Sequence, residues 1–296
     1  MKTCAECVLC LLNRDLAAVP ASVGAREKSA YQREVLRMIA DSDPALCAAQ
    51  LGARMDAIYR AHFGERKQKD FDTLKRTYNE RLLALEPRLQ AAVDAAADPL
   101  AMALKLARAG NYIDFGAKHV VDDALLDKLL LGAEHETLDA GEYGHFRNDL
   151  ARAGRVLYVT DNAGEIVLDK LLVKLLMARY PQAGLTLMVR GAPTLNDATV
   201  EDAEAVGLTG LVSVIGNGSD LPGTIWDEIS QEARRSLSEA DVIVSKGQAN
   251  FESLSGCGLN VYYLLLCKCD YFVRRFRVPR LTGLFVNERR MPPMDE

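Results

Sequence analysis

Asp161-Asn162-Ala163-Gly164-Glu165 breaks an otherwise apolar stretch, VLYVT before it and IVLDKLL after it, with side chains that can hold hard cations and phosphate. Three more polar clusters follow apolar runs: Arg190 to Asp197 (RGAPTLND), Asn217 to Asp220 (NGSD) and Lys246 to Glu252 (KGQANFE). Carboxylate and amide oxygens suit Mg²⁺ or Mn²⁺, which take one or two protein carboxylates and fill the shell with water and substrate phosphate. Asp161, Asn162 and Asp197 make such a set. A helix opening just after Asp161 would aim N–H groups and a partial positive charge at the same place, and Lys246 would add a full charge from a neighbouring run. The combination reads as a site for a metal-bound phosphate. Each loop alone also has a plainer account: Asp and Asn before a helix are N-caps, Gly191, Pro193 and Gly247 are turn residues, and Lys246 is a solvated lysine. Convergence of several such loops on one edge favours the site.

The elements that would bring them together are legible as a change of texture. Residues 1 to 150 carry apolar residues at three and four spacing in segments such as EKSAYQREVLRMIADSD, DFDTLKRTYNERLLALEPRLQAAVDAAAD and PLAMALKLARAG, which predicts helices. After about 154, short β-rich runs alternate with helical pattern: 155–160, 185–191, 211–218, 240–247, 261–269 and 283–288. That alternation predicts βαβ crossovers, hence an α/β fold with a helical N-terminal part (1–150) packed on a doubly wound, mostly parallel, Rossmann-like sheet (151–296). In such sheets ligands bind at the carboxyl ends of the strands, where the four polar clusters fall.

The 296 residues, 49% hydrophobic and 26% charged, have the profile of a globular protein. A net charge of −5 gives no drive toward nucleic acid or anionic lipid, and Arg274, Arg275, Arg277 and Arg280 read as a solvated face or strand flank. The longest apolar run, Val261 to Cys267, is far shorter than the ~20 residues a membrane helix needs. The opening MKTCAEC places charge and cysteine where a signal peptide would be apolar, so a cytoplasmic location is expected.

The stretches DNAGEIVLD (161–169), RGAPTLNDAT (190–199), GSDLPGT (218–224), ADVIVSKGQANFESL (240–254), AGNYIDFG (109–116) and ECVLCLL (6–12) resemble, with the same order along the chain, the damage-control phosphatase family, also described as the acidic-residue-methyltransferase-like, metal-binding domain family. The last is similar to its prokaryotic stand-alone branch. The resemblance implies a phosphatase of small phosphorylated metabolites that depends on a divalent metal (Mg, Mn, Co or Ni), with the metal on Asp161, Asn162 and Asp197 and the phosphate on Lys246. It also places Asn111, Glu165, Asn196, Asn250 and Glu252 near the substrate. The rival it brings is a carboxyl methyltransferase. S-adenosylmethionine sites usually have a glycine-rich first loop, whereas DNAGE has Gly164 alone, and a hard-metal shell serves phosphoryl transfer better than methyl transfer. A non-catalytic phosphometabolite-binding protein is the third reading. In-line attack by water and a transient phosphate on Asp161 both stay open, although Ala163 stands where the haloacid-dehalogenase pattern has a second Asp.

Seven cysteines, an odd number, fit a reducing compartment. Cys4, Cys7 and Cys10 have the spacing of Zn²⁺ or iron–sulfur ligands, with Cys267 or Cys269 as a fourth; equally, Cys7 and Cys10 fit, with Leu11, the apolar face of a first helix. The family branch carries a cysteine pair matched by Cys7 and Cys10. His62, His119, His135 and His145 show no metal-like spacing.

Overall fold

The computed structural model describes residues 1–64, 70–115 and 121–291; Gly116 of the AGNYIDFG match and His119 lie outside the described residues. The chain forms two compact units, Met1–Lys69 and Asp70–Glu296. The texture change near 150 marks the step from helices to sheet, whereas the compact division falls earlier. Its cause is burial: the helices after residue 70 bury their apolar faces on the sheet and its flanking helices, in one core shared with the strands.

The first unit holds α1 (Ala5–Ala17), α2 (Ala25–Asp41) and α3 (Ala48–Phe63) around Val19, Tyr31, Val35, Met55 and Tyr59. Tyr31 donates to the buried Asp15 carboxylate, so α1 and α2 are tied by a polar contact inside an apolar cluster.

The second unit begins with α4 (Phe71–Ala95), α5 (Pro99–Gly110), α6 (Asp123–Gly132) and α7 (Ala140–Arg152). Asp70, Asp98, Asp122 and Asp139 cap them, each side chain accepting a first-turn backbone N–H, and Pro99 opens α5 where no N–H is needed. Then strands and helices alternate: β1 (Arg155–Val159), α8 (Glu165–Arg179), β2 (Gly184–Val189), α9 (Val200–Ala205), β3 (Ser213–Gly216), α10 (Gln231–Glu239), β4 (Val242–Lys246), α11 (Gln248–Leu254), β5 (Val261–Leu266), α12 (Asp270–Phe276) and β6 (Gly283–Asn287). All six strands fall on the runs expected from sequence.

The sheet order is β3-β2-β1-β4-β5-β6, parallel except for β6, which pairs antiparallel with β5. This is the doubly wound order, reversing between β1 and β4. Val156, Tyr158, Val244, Tyr262 and Leu264 face one core, while Leu157, Val159, Ile243, Val261, Tyr263 and Leu265 face the other, as strand alternation requires of a sheet covered on both sides. Each such buried aliphatic side chain contributes roughly 1.5–3 kcal/mol of transfer free energy. The consequence for function is rigidity at the reversal point, where the loops after β1 and β4 meet. No helix among the described residues is long and apolar enough to cross a membrane.

Candidate functional site

The loops after β1 and β2 are joined by backbone. Asn162 and Asp197 form an isolated antiparallel bridge, with Ala163 N donating to Asn196 O and Ala198 N to Asp161 O, both at 2.8 Å. Asp161, Asn162 and Asp197, drawn from two loops far apart in sequence, are therefore brought side by side by main-chain bonds that do not depend on any side chain.

The side chains do not serve as caps. The N-cap of α8 is Gly164, with no side-chain cap bond, and α9 is capped by Thr199 in a capping box with Asp202. Asp161 Oδ2 instead accepts from Asn162 Nδ2 at 2.7 Å and Asn111 Nδ2 at 2.9 Å. The same two amides reach Glu165 Oε2 at 3.1 Å each. With its nitrogen turned to the carboxylates, Asn162 would offer a cation its oxygen. The plainer account of Asp161 and Asn162 as ordinary caps is thereby corrected: their polar ends turn toward other buried site residues. The loop N–H groups expected to face an anion are engaged too, Ala163 N by Asn196 O and Gly164 N by Asn79 Oδ1 at 2.6 Å.

Charge is concentrated here. Asp161, Glu165, Asp169 and Asp197 are buried, with the half-buried Asp114 nearby, and they face Arg190, Lys246 and Lys268. Burial, then the neighbouring charges of Glu165 and Asp197, push the Asp161 carboxyl well above the usual carboxylate range. Burial also raises Asp197, against the pull of Arg190, whose Nε and second guanidinium nitrogen hold Asp197 Oδ2 at 2.8 and 2.7 Å. Two crowded carboxylates and an amide oxygen are hard donors, and the surplus negative charge is what a divalent cation would neutralise, so the residues fit the expected metal.

Lys246 lies one layer behind. It is fully buried, and its ammonium donates to Glu165 Oε1 and Asp169 Oδ1, each at 2.6 Å, and to Ala107 O at 2.8 Å. All three donors have protein acceptors, so the geometry gives it an internal role where the sequence suggested direct contact with phosphate. Burial alone would lower its pKa, but Asp169 and Glu165 outweigh that and hold it above its ordinary value. Tyr158 Oη donates to Asp169 Oδ1 at 2.7 Å, and burial pushes that carboxyl up to about 6.

The remaining expected substrate residues also have internal partners. Asn111 Oδ1 accepts Leu266 N at 3.1 Å, linking the β1 loop to the end of β5. Asn196 accepts Phe115 N at 3.2 Å. Asn250 donates to Thr160 O and Lys246 O, both at 2.8 Å, and so pins the ends of β1 and β4 together. Glu252 stands half-buried on α11, its carboxyl pushed up to about 7 by burial.

Gly247 is required by close approach. Its φ is +79°, and an added Cβ would lie 1.9 Å from Asp161 Oδ2. Gly247→Ala should displace Asp161 and weaken divalent-metal affinity by about tenfold or more, as supporting-residue changes at metal sites do. Calorimetric titration with Mn²⁺ checks this; unchanged affinity would remove Asp161 from the shell.

Against this geometry stand the relatives. The sequence model of the "Damage-control phosphatase ARMT1-like domain" matches residues 3–282. The chain belongs to this damage-control phosphatase family. A protein named damage-control phosphatase from Archaeoglobus fulgidus is 35% identical over 204 residues, 68% of this chain and 69% of the relative. Another so named, from Pyrococcus horikoshii, is 34% identical over 187 residues, 60% of this chain and 62% of its own length. The crystal structure of a DUF89 family protein from P. horikoshii superposes with a TM-score of 0.76 at 25% identity, covering 97% of this chain and 99% of that one.

Within this damage-control phosphatase fold several site residues were not singled out from sequence. Asp169 and Arg190 lie inside matched motifs but carried no role; Asn79 and Lys268 stood outside any, and Asp114 lay unremarked within AGNYIDFG. Lys268 Nζ meets Asp114 Oδ2 at 2.8 Å and its charge opposes the rise in the Asp161 pKa. Asn79 had a usable signal: with Lys75, Tyr78 and Leu82 it lies on the buried stripe of α4, where a polar residue needs a partner.

The N-terminal cysteines and Cys269 are each described within their own unit. Cys4 and Cys7 sulfurs are 3.2 Å apart, Cys10 is exposed, and Cys269 accepts from Gln248 Nε2 at 3.4 Å. Among the described residues, no three His, Cys, Asp or Glu side chains form a metal-binding group.

Proposed function

We propose that the protein is a divalent-metal-dependent phosphatase of small phosphorylated metabolites, with Asp161, Asn162 and Asp197 as the metal-holding residues. The observation that carries this reading is the backbone bridge between Asn162 and Asp197, which sets the hard-donor loops after β1 and β2 against each other at the carboxyl ends of their strands. Family membership supports the phosphatase chemistry.

A bound Mg²⁺, Mn²⁺, Co²⁺ or Ni²⁺ would polarise the phosphoryl oxygens and offset charge in the transition state. The chain's own residues prepare that position. Asn111 and Asn162 orient Asp161, and Arg190 orients Asp197. Lys246 balances Glu165 and Asp169 beside them. Lys268, just beyond the end of β5, supplies positive charge beside Asp161. Hydrolysis then follows in-line attack of an oxygen nucleophile on phosphorus, with departure of the alcohol oxygen.

The test is phosphate release from a panel of sugar phosphates with each of the four metals in turn. Metal-stimulated release is expected. Absence of release with every metal, together with measurable S-adenosylmethionine binding, would replace this reading with the methyltransferase.

A further inference from the structure

The two metal-holding loops are joined not only by their backbone bridge but by a second connection running behind them through α4. Asn79 Oδ1 accepts Gly164 N at 2.6 Å, inside the loop after β1. Its Nδ2 donates to Asp202 Oδ1 at 2.9 Å. Asp202 Oδ2 accepts both Thr199 N and Thr199 Oγ1 at 2.9 Å, just beyond Asp197 in the chain, and Lys75 Nζ at 2.6 Å. Asn79 is 4% exposed, Asp202 7% and Lys75 8%. The contact is tight at the other end as well. Gly164 has φ +78°, and a Cβ there would lie 2.9 Å from Tyr78 Cβ, so α4 sits directly against the turn.

Each link has one donor–acceptor arrangement. Gly164 N can only donate, so Asn79 must present its oxygen there and its NH₂ to Asp202. The Asp202 carboxylate in turn accepts from Asn79, Thr199 and Lys75 at once. Because buried polar groups left unmatched are costly, the chain of bonds selects one distance between the loops.

We propose that Asn79 and Asp202 are positioning residues that fix the separation of Asp161 and Asn162 from Asp197, and so set metal affinity without touching the metal. The proposal rests on the metal reading of those three residues. It assigns to α4, a helix outside every matched motif, control over the geometry of the site.

The experiment is calorimetric titration with Mn²⁺ of the full chain and four variants. Asn79→Ala and Asp202→Asn should each weaken Mn²⁺ binding by about tenfold or more. The double variant Asn79→Asp with Asp202→Asn reverses the pair. The carboxylate introduced at position 79 would accept from Gly164 N and from the amide introduced at position 202, while that amide's oxygen would accept from Thr199 and Lys75. It should recover most of the lost affinity, which a general loss of stability would not. Tyr143→Phe, which removes the 2.7 Å bond to Asp98 away from the site, should leave affinity unchanged. Undiminished binding in Asn79→Ala, or no recovery in the double variant, overturns the positioning role while leaving the metal site standing. If the unaltered protein binds no Mn²⁺, the metal reading itself fails. Should a variant not fold, hydrogen exchange of the Gly164 amide in the unaltered protein decides. Slowed exchange that slows further with Mn²⁺ is expected, and exchange at the rate of an exposed amide overturns the proposal.

Discussion

Asp161→Asn should abolish metal-stimulated phosphate release, a loss on the order of 10³-fold, since a bound metal contributes several kcal/mol to the transition state. The same change should not harm the fold. Asn is isosteric, and its oxygen can accept from Asn111 and Asn162 as the carboxylate does. The pKa of Asp161 is raised by burial and by Glu165 and Asp197, so the folded protein binds its proton more tightly than the unfolded chain. In metal-free buffer this acid therefore weakens the fold as pH rises from its unfolded value of ~3.9 toward its raised value. The weakening disappears as pH falls back to that unfolded value. Metal-free Asp161→Asn should thus be at least as stable as the parent near neutrality, with the advantage shrinking on acidification. Saturating Mn²⁺ should reverse the order, because only the parent gains, by ~2.7 kcal/mol at a hundredfold excess over Kd. Paired thermal melts with and without metal check both signs. Full activity in the variant would displace the metal shell.

Lys246→Met should have the largest effect on stability. Glu165 and Asp169 are fully buried, and their shared cation would be gone. Breaking a buried pair from one side costs about 3–5 kcal/mol, a large share of a domain's stability. Urea unfolding measures it. Adding Glu165→Gln and Asp169→Asn to the lysine change removes the stranded charges and should restore much of the loss, without restoring activity. A cost below about 1 kcal/mol for Lys246→Met would fit a solvated or phosphate-facing lysine, contrary to the buried pairing.

The strands and the polar ends that follow them were readable because both are local: β-branched runs alternate with helical pattern, and loops collect at one edge by topology. What was not readable depends on distant contacts. Lys246 in KGQANFE has the type and place of a phosphate-binding lysine, and nothing in that motif shows that Asp169, 77 residues earlier, takes its ammonium. Asn79 lies 85 residues from Gly164, so its role needs the packing of α4. The compact division at residue 69 was hidden for the same reason, since helices packed on a sheet and helices packed on one another share the same periodicity.

β6 runs opposite to the other strands, starting with Gly283 beside Leu266 and ending with Asn287 beside Tyr262. Leu266 lies at the edge where the loops after β1 and β4 gather, so the chain leaves β6 at the other edge. An affinity handle joined beyond that strand is thereby anchored on the far side of the sheet from Asp161. Capture on a sensor surface through such a handle suits measurements of metal and phosphate binding, because the tether and the site occupy opposite edges.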